Sequence, residues 1–261
     1  MSSDLEPEQV SEVLGGRPVR TYPAVLSTEA TAMAWARAGA PSGAVVVADY
    51  QASPRGRGGL PWTVDAGRGL GFSLILRPTL PVEREGWPYV VASLAVAEAL
   101  DPRARLEWPD AVLGEDDGGA LARLGSYVEL GPDRTEWLTV TVHVLDAVPP
   151  RAALLHQLVN AVEVRMADAE ERVLTAYRSR CTTLGRQVRA RMIPMGANGP
   201  EVNGEAVDVR ADGSLVVLTA RNNRVAVPPQ NLGLLEEPGS PVRLPDDIAK
   251  RLEERLPPSS N

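Results

Sequence analysis

Residues 44–62 read AVVVADYQASPRGRGGLPW. The apolar run from Ala44 to Ala48 is short enough for one buried strand. From Gln51 to Trp62 the chain carries two Arg, three Gly and two Pro. The core strand therefore runs straight into a supple loop. Its glycines let the backbone approach a ligand, and Arg55 and Arg57 bring guanidiniums that fork onto oxyanions. A small anion, first of all a nucleotide phosphate, is the partner such a loop suggests.

Upstream, STEATAMAWARAG (27–39) has the pattern of a capped helix. Ser27 or Thr28 caps it, Glu29 favours its first turn and Gly39 closes it. A short helix is also expected at EPEQVSEVL in the polar first 22 residues. Downstream, GLGFSLILRP (69–78) alternates as a second strand, and PYVVASLAVAEAL (88–100) reads as an apolar helix. RARLEWPD (103–110) reads as a short strand entering a turn. SYVEL and EWLTVTVHVL (136–145) read as paired strands joined by LGPDRT. Residues 151–181 are helical, as one helix or two, with Leu154, Leu155, Leu158, Val159 and Val162 on one buried face.

After Gly185 the pattern shortens to alternating strands, with NG and ADG expected as turns. This predicts a small all-β module. Beyond Leu235 the chain turns Pro- and charge-rich, and only DDIAKRLEERL predicts a helix in that tail.

The net charge of −7 argues against a nucleic-acid partner, which calls for a basic face. No apolar run is long enough to span a bilayer, which argues against a membrane partner, and no leader is evident in the acidic start, so the expected location is cytoplasmic. One cysteine, Cys181, excludes an internal disulfide. No His/Cys/Asp set has metal-ligand spacing.

Six stretches, taken in order, resemble the biotin protein ligases that lack a DNA-binding domain: STEATAM, ADYQASPRGRGGLPW, GLGFSLILRP, EWPD, LGSYVEL and YRSRCTTLGRQVRARM with the β module behind it. The resemblance spans roughly residues 22–235. It implies an α+β fold in which a biotin/lipoate ligase-like catalytic domain, a mixed β-sheet flanked by helices, covers 23–183. An N-terminal segment (1–22) precedes it. A small SH3-like β-barrel (184–235) and a loosely ordered tail (236–261) follow. The implied reaction makes biotinyl adenylate from biotin and ATP with magnesium, then passes biotin to a lysine of a biotin carrier domain. A homodimer is compatible with the resemblance.

The resemblance also implies roles. Ser27, Thr28, Gln51 and Gly125 would face biotin. Arg55 and Arg57 would meet carboxylate and phosphate. Arg57, Trp62, Asp110 and His143 would flank the nucleotide, with Asp110 the one carboxylate offered to a metal.

The sequence also departs from the family pattern. Pro54 opens the loop where the family has Gly, Gly58 replaces its third Arg, and Glu107 stands where EWPD aligns with a lysine. Thr139, Thr141 and His143 replace a Gly-x-Gly-x-Asn strand. Aligning LGSYVEL puts Ala122 at the position of the lysine that neutralises the reacting groups, and the chain has no lysine before Lys250. Arg123, next in line, is the candidate catalytic substitute, and a lysine restored at 122 is expected to raise activity. Three functions stay open on the residues: a divergent biotin–carrier ligase, a binder of another carboxylate or nucleotide, and a non-catalytic assembly partner.

Overall fold

The computed structural model describes residues 4–64, 68–115, 119–147, 150–195 and 199–238. The helix expected in the tail lies outside these residues.

The larger unit runs α1 (Pro7–Val13), β1 (Val19–Tyr22), α2 (Thr28–Arg37), β2 (Val45–Ala48), β3 (Leu70–Leu76), α3 (Trp87–Leu100), β4 (Arg105–Glu107), β5 (Ala111–Leu113), β6 (Ala120–Leu130), β7 (Thr135–Val144), α4 (Arg151–Met166) and α5 (Glu170–Arg180). Its strands form one mixed sheet in the order β1-β2-β3-β7-β6-β5-β4, and only β1–β2 is parallel. Residues 7–22, read as a polar lead-in, supply α1 and the sheet's edge strand β1.

Alternation along the strands separates two faces. Leu70, Phe72, Leu74 and Leu76 of β3 join Leu138, Val140, Val142 and Val144 of β7 in the main core, beneath α3 and α4. α3 is buried from Trp87 to Ala97, as expected of a helix that is apolar all round. α4 buries Leu155, Leu158, Val159 and Val162, the stripe its spacing predicts. On the opposite face, α2 sets Ala32 and Ala36 against Val46, Ile75 and Trp137. That helix covers only part of the face. The rest, bearing Gly71, Ser73, Thr141, His143, Arg123 and Gly125, is left to the loop after β2.

Ser27, not Thr28, caps α2: its Oγ accepts from the Ala30 amide at 3.4 Å. The LGPDRT turn closes with the Gly131 amide donating to the Arg134 carbonyl at 2.8 Å.

The smaller unit is a five-stranded antiparallel sheet, ordered β11-β10-β9-β8-β12, built from β8 (Gln187–Met192), β9 (Glu201–Val209), β10 (Leu215–Leu218), β11 (Arg224–Val227) and β12 (Leu232–Glu236). The ADG turn forms as expected, with Gly213 at φ +82°. Asn203-Gly204 does not turn. It lies inside β9, where a Cβ on Gly204 would stand 2.2 Å from the Leu218 carbonyl oxygen. This glycine serves a close strand approach rather than a hairpin. The Trp108 indole donates to the Gly213 carbonyl at 2.9 Å, and the Trp108 amide donates to Thr183 Oγ1 at 2.9 Å. The EWPD stretch thus joins the two units.

Candidate active site

Cross-strand pairing arranges the open face in rows. Ser73 pairs with Thr141, and Thr141 with Gly125. One strand repeat along, Gly71 pairs with His143, and His143 with Arg123. The two rows are about 7 Å apart.

The first row carries a buried hydroxyl–amide network. Gln51 Oε1 accepts from the Thr28 amide at 2.8 Å and from Thr28 Oγ1 at 3.0 Å. Ser73 Oγ donates to Thr28 Oγ1 at 3.0 Å and lies 2.8 Å from Thr141 Oγ1. Thr28, Gln51, Ser73 and Thr141 are all buried, so the network is held in a medium of low dielectric, where its polarity counts for more than at the surface. Gln51 Nε2 lies over Gly71, and a Cβ there would come within 2.3 Å of it. The glycine therefore makes room for the amide. Thr139, two residues further along β7, has a buried Oγ1 with no hydrogen-bond partner among the described residues. Such a patch suits a neutral head group rich in hydrogen-bonding atoms.

The second row is cationic and aromatic. The Trp62 ring stacks near His143, with centroids 6.2 Å apart and planes 26° apart. Arg123 is half-buried and makes no hydrogen bond or ion pair among the described residues. Ala122, aligned with the family's lysine, faces the other way and is wholly buried in the main core. Unbroken alternation from Ala122 to Glu129 sets this phase, because Arg123 lies two residues and Ala122 three residues from Gly125. A cation at 122 would enter the apolar core rather than the site.

The loop lies down over both rows. It folds back on itself through the Gly56 amide to the Leu60 carbonyl (2.8 Å) and the Trp62 amide to the Pro54 carbonyl (3.1 Å). Gly58 and Gly59 take φ of +60° and +73°, which side chains disfavour. A Cβ on Gly125 would sit 3.1 Å from Gly56 Cα, so glycine at 125 lets the loop seat. Arg57 is buried; its Nε donates to Asp110 Oδ2 at 3.0 Å, and a terminal nitrogen donates to the Leu232 carbonyl of the smaller unit. Arg55 is exposed and donates to the Gly59 carbonyl at 3.1 Å. Ser27 is buried as the α2 cap. The structure thus gathers the expected residues on one face, with Arg57 and Asp110 engaged with each other. Among the described residues no group of three or more His, Cys, Asp or Glu could hold a metal ion.

Ser73 and Glu29 are not among the expected site residues, and Thr141 enters the expectation only as a replacement for a family glycine. Ser73 was legible as the one polar residue in an apolar alternation. Glu29, read only as a first-turn acid, is nearly buried. Burial pushes its carboxyl up to about 7, and the Arg55 guanidinium opposes that rise.

No family profile matches the chain. A biotin–[acetyl-CoA-carboxylase] ligase of Mycobacterium tuberculosis is 30% identical over 219 residues, covering 72% of this chain and 79% of that one. A bifunctional ligase/repressor of Bacillus subtilis is 36% identical over 121 residues, 44% of this chain and 37% of that one. Among solved structures, the biotin protein ligase of Aquifex aeolicus in complex with biotin and ATP superposes with a TM-score of 0.63 at 20% identity, covering 84% of this chain and 99% of that one. A biotin protein ligase-like protein of unknown function from Silicibacter superposes at 0.61 with 15% identity, over 82% and 95%. The fold is that of the biotin protein ligases. The chain belongs to the biotin–protein ligase family. Among the described residues no helix is long and apolar enough to cross a membrane.

Proposed function

We propose that this chain joins biotin and ATP into biotinyl adenylate and transfers the biotinyl group to a lysine of a carrier domain. The observation that carries this reading is the pairing of two rows on one face: a buried hydrogen-bonding network, and one strand repeat away a cation, Arg123, with no partner among the described residues.

The network would hold biotin's ureido ring, with Gln51 Nε2 and the hydroxyls of Thr28, Ser73 and Thr141 as its partners. The carboxylate at the end of the acyl tail then lies toward the second row. Its oxygen attacks the α-phosphorus of ATP, and pyrophosphate leaves. Negative charge gathers between the carboxylate and the α-phosphate, where a fixed cation lowers the barrier most. Arg123 supplies that cation from β6, and Arg55 supplies a second from the loop. Trp62, against His143, presents an aromatic ring to the adenine. Closure of the loop keeps water from the mixed anhydride. In the second step the lysine amine attacks the acyl carbon, and AMP departs with the bonding electrons.

Magnesium in such sites is held largely by substrate phosphates with one or two carboxylates. The described residues fit that sparse role through Asp110 alone, and Asp110 is engaged by Arg57.

A second reading, a ligand binder without turnover, is favoured by the same Arg57 contacts, which tie down the loop that would clasp the nucleotide. Labelling of a purified carrier domain with biotin, ATP and magnesium tests the proposal. Labelled carrier supports it. Biotin binding by calorimetry without labelling supports the binder instead.

A further inference from the structure

β2 and β3 pair as far as Ala48 with Gly71. Beyond that pair the chain leaves the sheet at Asp49, carries the loop across the site and rejoins the sheet at Leu70. One side chain spans the gap. The Arg151 guanidinium, at the start of α4, donates to Asp49 Oδ1 at 2.7 Å and to the Gly69 carbonyl at 3.4 Å. Both roots of the loop are thus held by one group. Arg151 also donates through Nε to Asp4 Oδ1 and through its amide to Asp4 Oδ2, each at 2.7 Å. Asp4 thereby satisfies an amide of the first turn of α4, a turn that has no acid of its own.

Position shows what this contact is for. Arg151 is only 8% exposed, so its bonds are screened far less than those of a surface pair. Arg68, beside the returning root, pairs with Asp146, and both are exposed; such a pair contributes little. Gly69 takes φ +75°, and a Cβ there would stand 2.3 Å from the Val144 carbonyl oxygen, so the returning root is seated tightly on β7. Two residues further along the chain from Asp49 and from Gly69 stand Gln51 and Gly71, where Gln51 Nε2 lies over the glycine. Parting Asp49 from Gly69 therefore shifts the amide of the first row and unseats the loop above it.

We propose that Arg151 is a positioning residue that clamps the two roots of the loop and so keeps it closed over the adenylate. It touches no reacting atom. The consequence for chemistry rests on the ligase reading above; the clamp itself does not. With the roots parted, water reaches the mixed anhydride. Its oxygen attacks the acyl carbon, the C–O bond to phosphate breaks, and biotin and AMP depart while the water protons pass to solvent. ATP is then consumed without a labelled carrier.

The test compares two variants of the full chain with wild type. Asp49→Ala frees the outgoing root and leaves Arg151 on Asp4. Asp4→Ala frees the N-terminal segment and leaves both roots held. Trypsin, in the absence of substrates, reads opening of the loop at Arg55 and Arg57. We expect cleavage to rise about 10-fold in Asp49→Ala and to stay within about 2-fold of wild type in Asp4→Ala, although both lower the melting temperature. Arg151→Lys keeps the charge but not the fork that reaches three partners, and should be cleaved as Asp49→Ala is. AMP released per carrier labelled, with biotin, ATP and magnesium, reads escape to water. It should stay at about one in wild type and Asp4→Ala and rise about 10-fold in Asp49→Ala. Equal cleavage in the two aspartate variants overturns the clamp, because Asp49 would then act through general stability alone. Faster cleavage of Asp49→Ala with AMP still matching the label overturns its part in protecting the adenylate. No labelling by wild type overturns the ligase reading, and the clamp is then judged by trypsin alone.

Discussion

Arg123 and His143 stand directly opposite one another on β6 and β7, on the face the loop covers. Their neighbours in the chain, Ala122 and Val144, form the next pair and point into the core. One residue of phase thus decides whether a cation reaches the reacting groups or the apolar interior.

Ala122→Lys follows from that phase. Restoring the family's lysine at the aligned position buries an ammonium among core side chains, at a cost of about 3 kcal/mol or more unless the strand shifts. Urea denaturation should show the loss, and adenylate formation should not rise. A variant as stable as wild type and more active would refute the assignment of faces.

Thr28→Val removes the hydroxyl that links Gln51 to Ser73. Losing one member of a buried network costs about 1–3 kcal/mol. Biotin affinity by calorimetry should therefore fall about 10- to 100-fold, with the fold intact by circular dichroism. An unchanged dissociation constant would place the head group elsewhere.

Asp110→Ala leaves the buried Arg57 guanidinium without its carboxylate, at a cost of about 2–3 kcal/mol, less than a fully buried pair because Asp110 is partly exposed. The loop should loosen, and trypsin should cut after Arg57 faster than in wild type. Equal cleavage would mean that the Leu232 carbonyl alone holds the loop.

Stability should depend on pH through Glu29. Its carboxyl ionises near 7 when folded and near 4.5 when free. Between those values the unfolded chain has lost the proton that the folded chain keeps, so stability falls as pH rises from 4.5 to 7 and then levels off. The contribution reaches as much as about 3 kcal/mol. Glu29→Gln should flatten that slope and stabilise the protein at pH 8; a melting curve with the same pH slope in both proteins would contradict this.

The sheet and the loop were legible in the sequence because β3 alternates Leu, Phe and Leu with Gly and Ser, and because an apolar strand running into Gly and Arg is a local signal. β1 was not legible: VRTY has no alternation and takes its order from parallel pairing with β2. Asn203-Gly204 misled because a hairpin glycine and a close-approach glycine read alike; only the Leu218 carbonyl across the sheet tells them apart. The faces of 122 and 123 follow from the period-two alternation that runs through Gly125. Glu29 looked like an ordinary first-turn acid, and nothing in its neighbours along the chain announces its burial.

Pyrophosphate exchange tests the central claim most directly. With wild-type protein, labelled pyrophosphate should enter ATP only when biotin is present, and Arg123→Ala should slow that exchange about 100-fold or more while biotin still binds. No biotin-dependent exchange in the wild type, or full exchange in Arg123→Ala, would contradict the account.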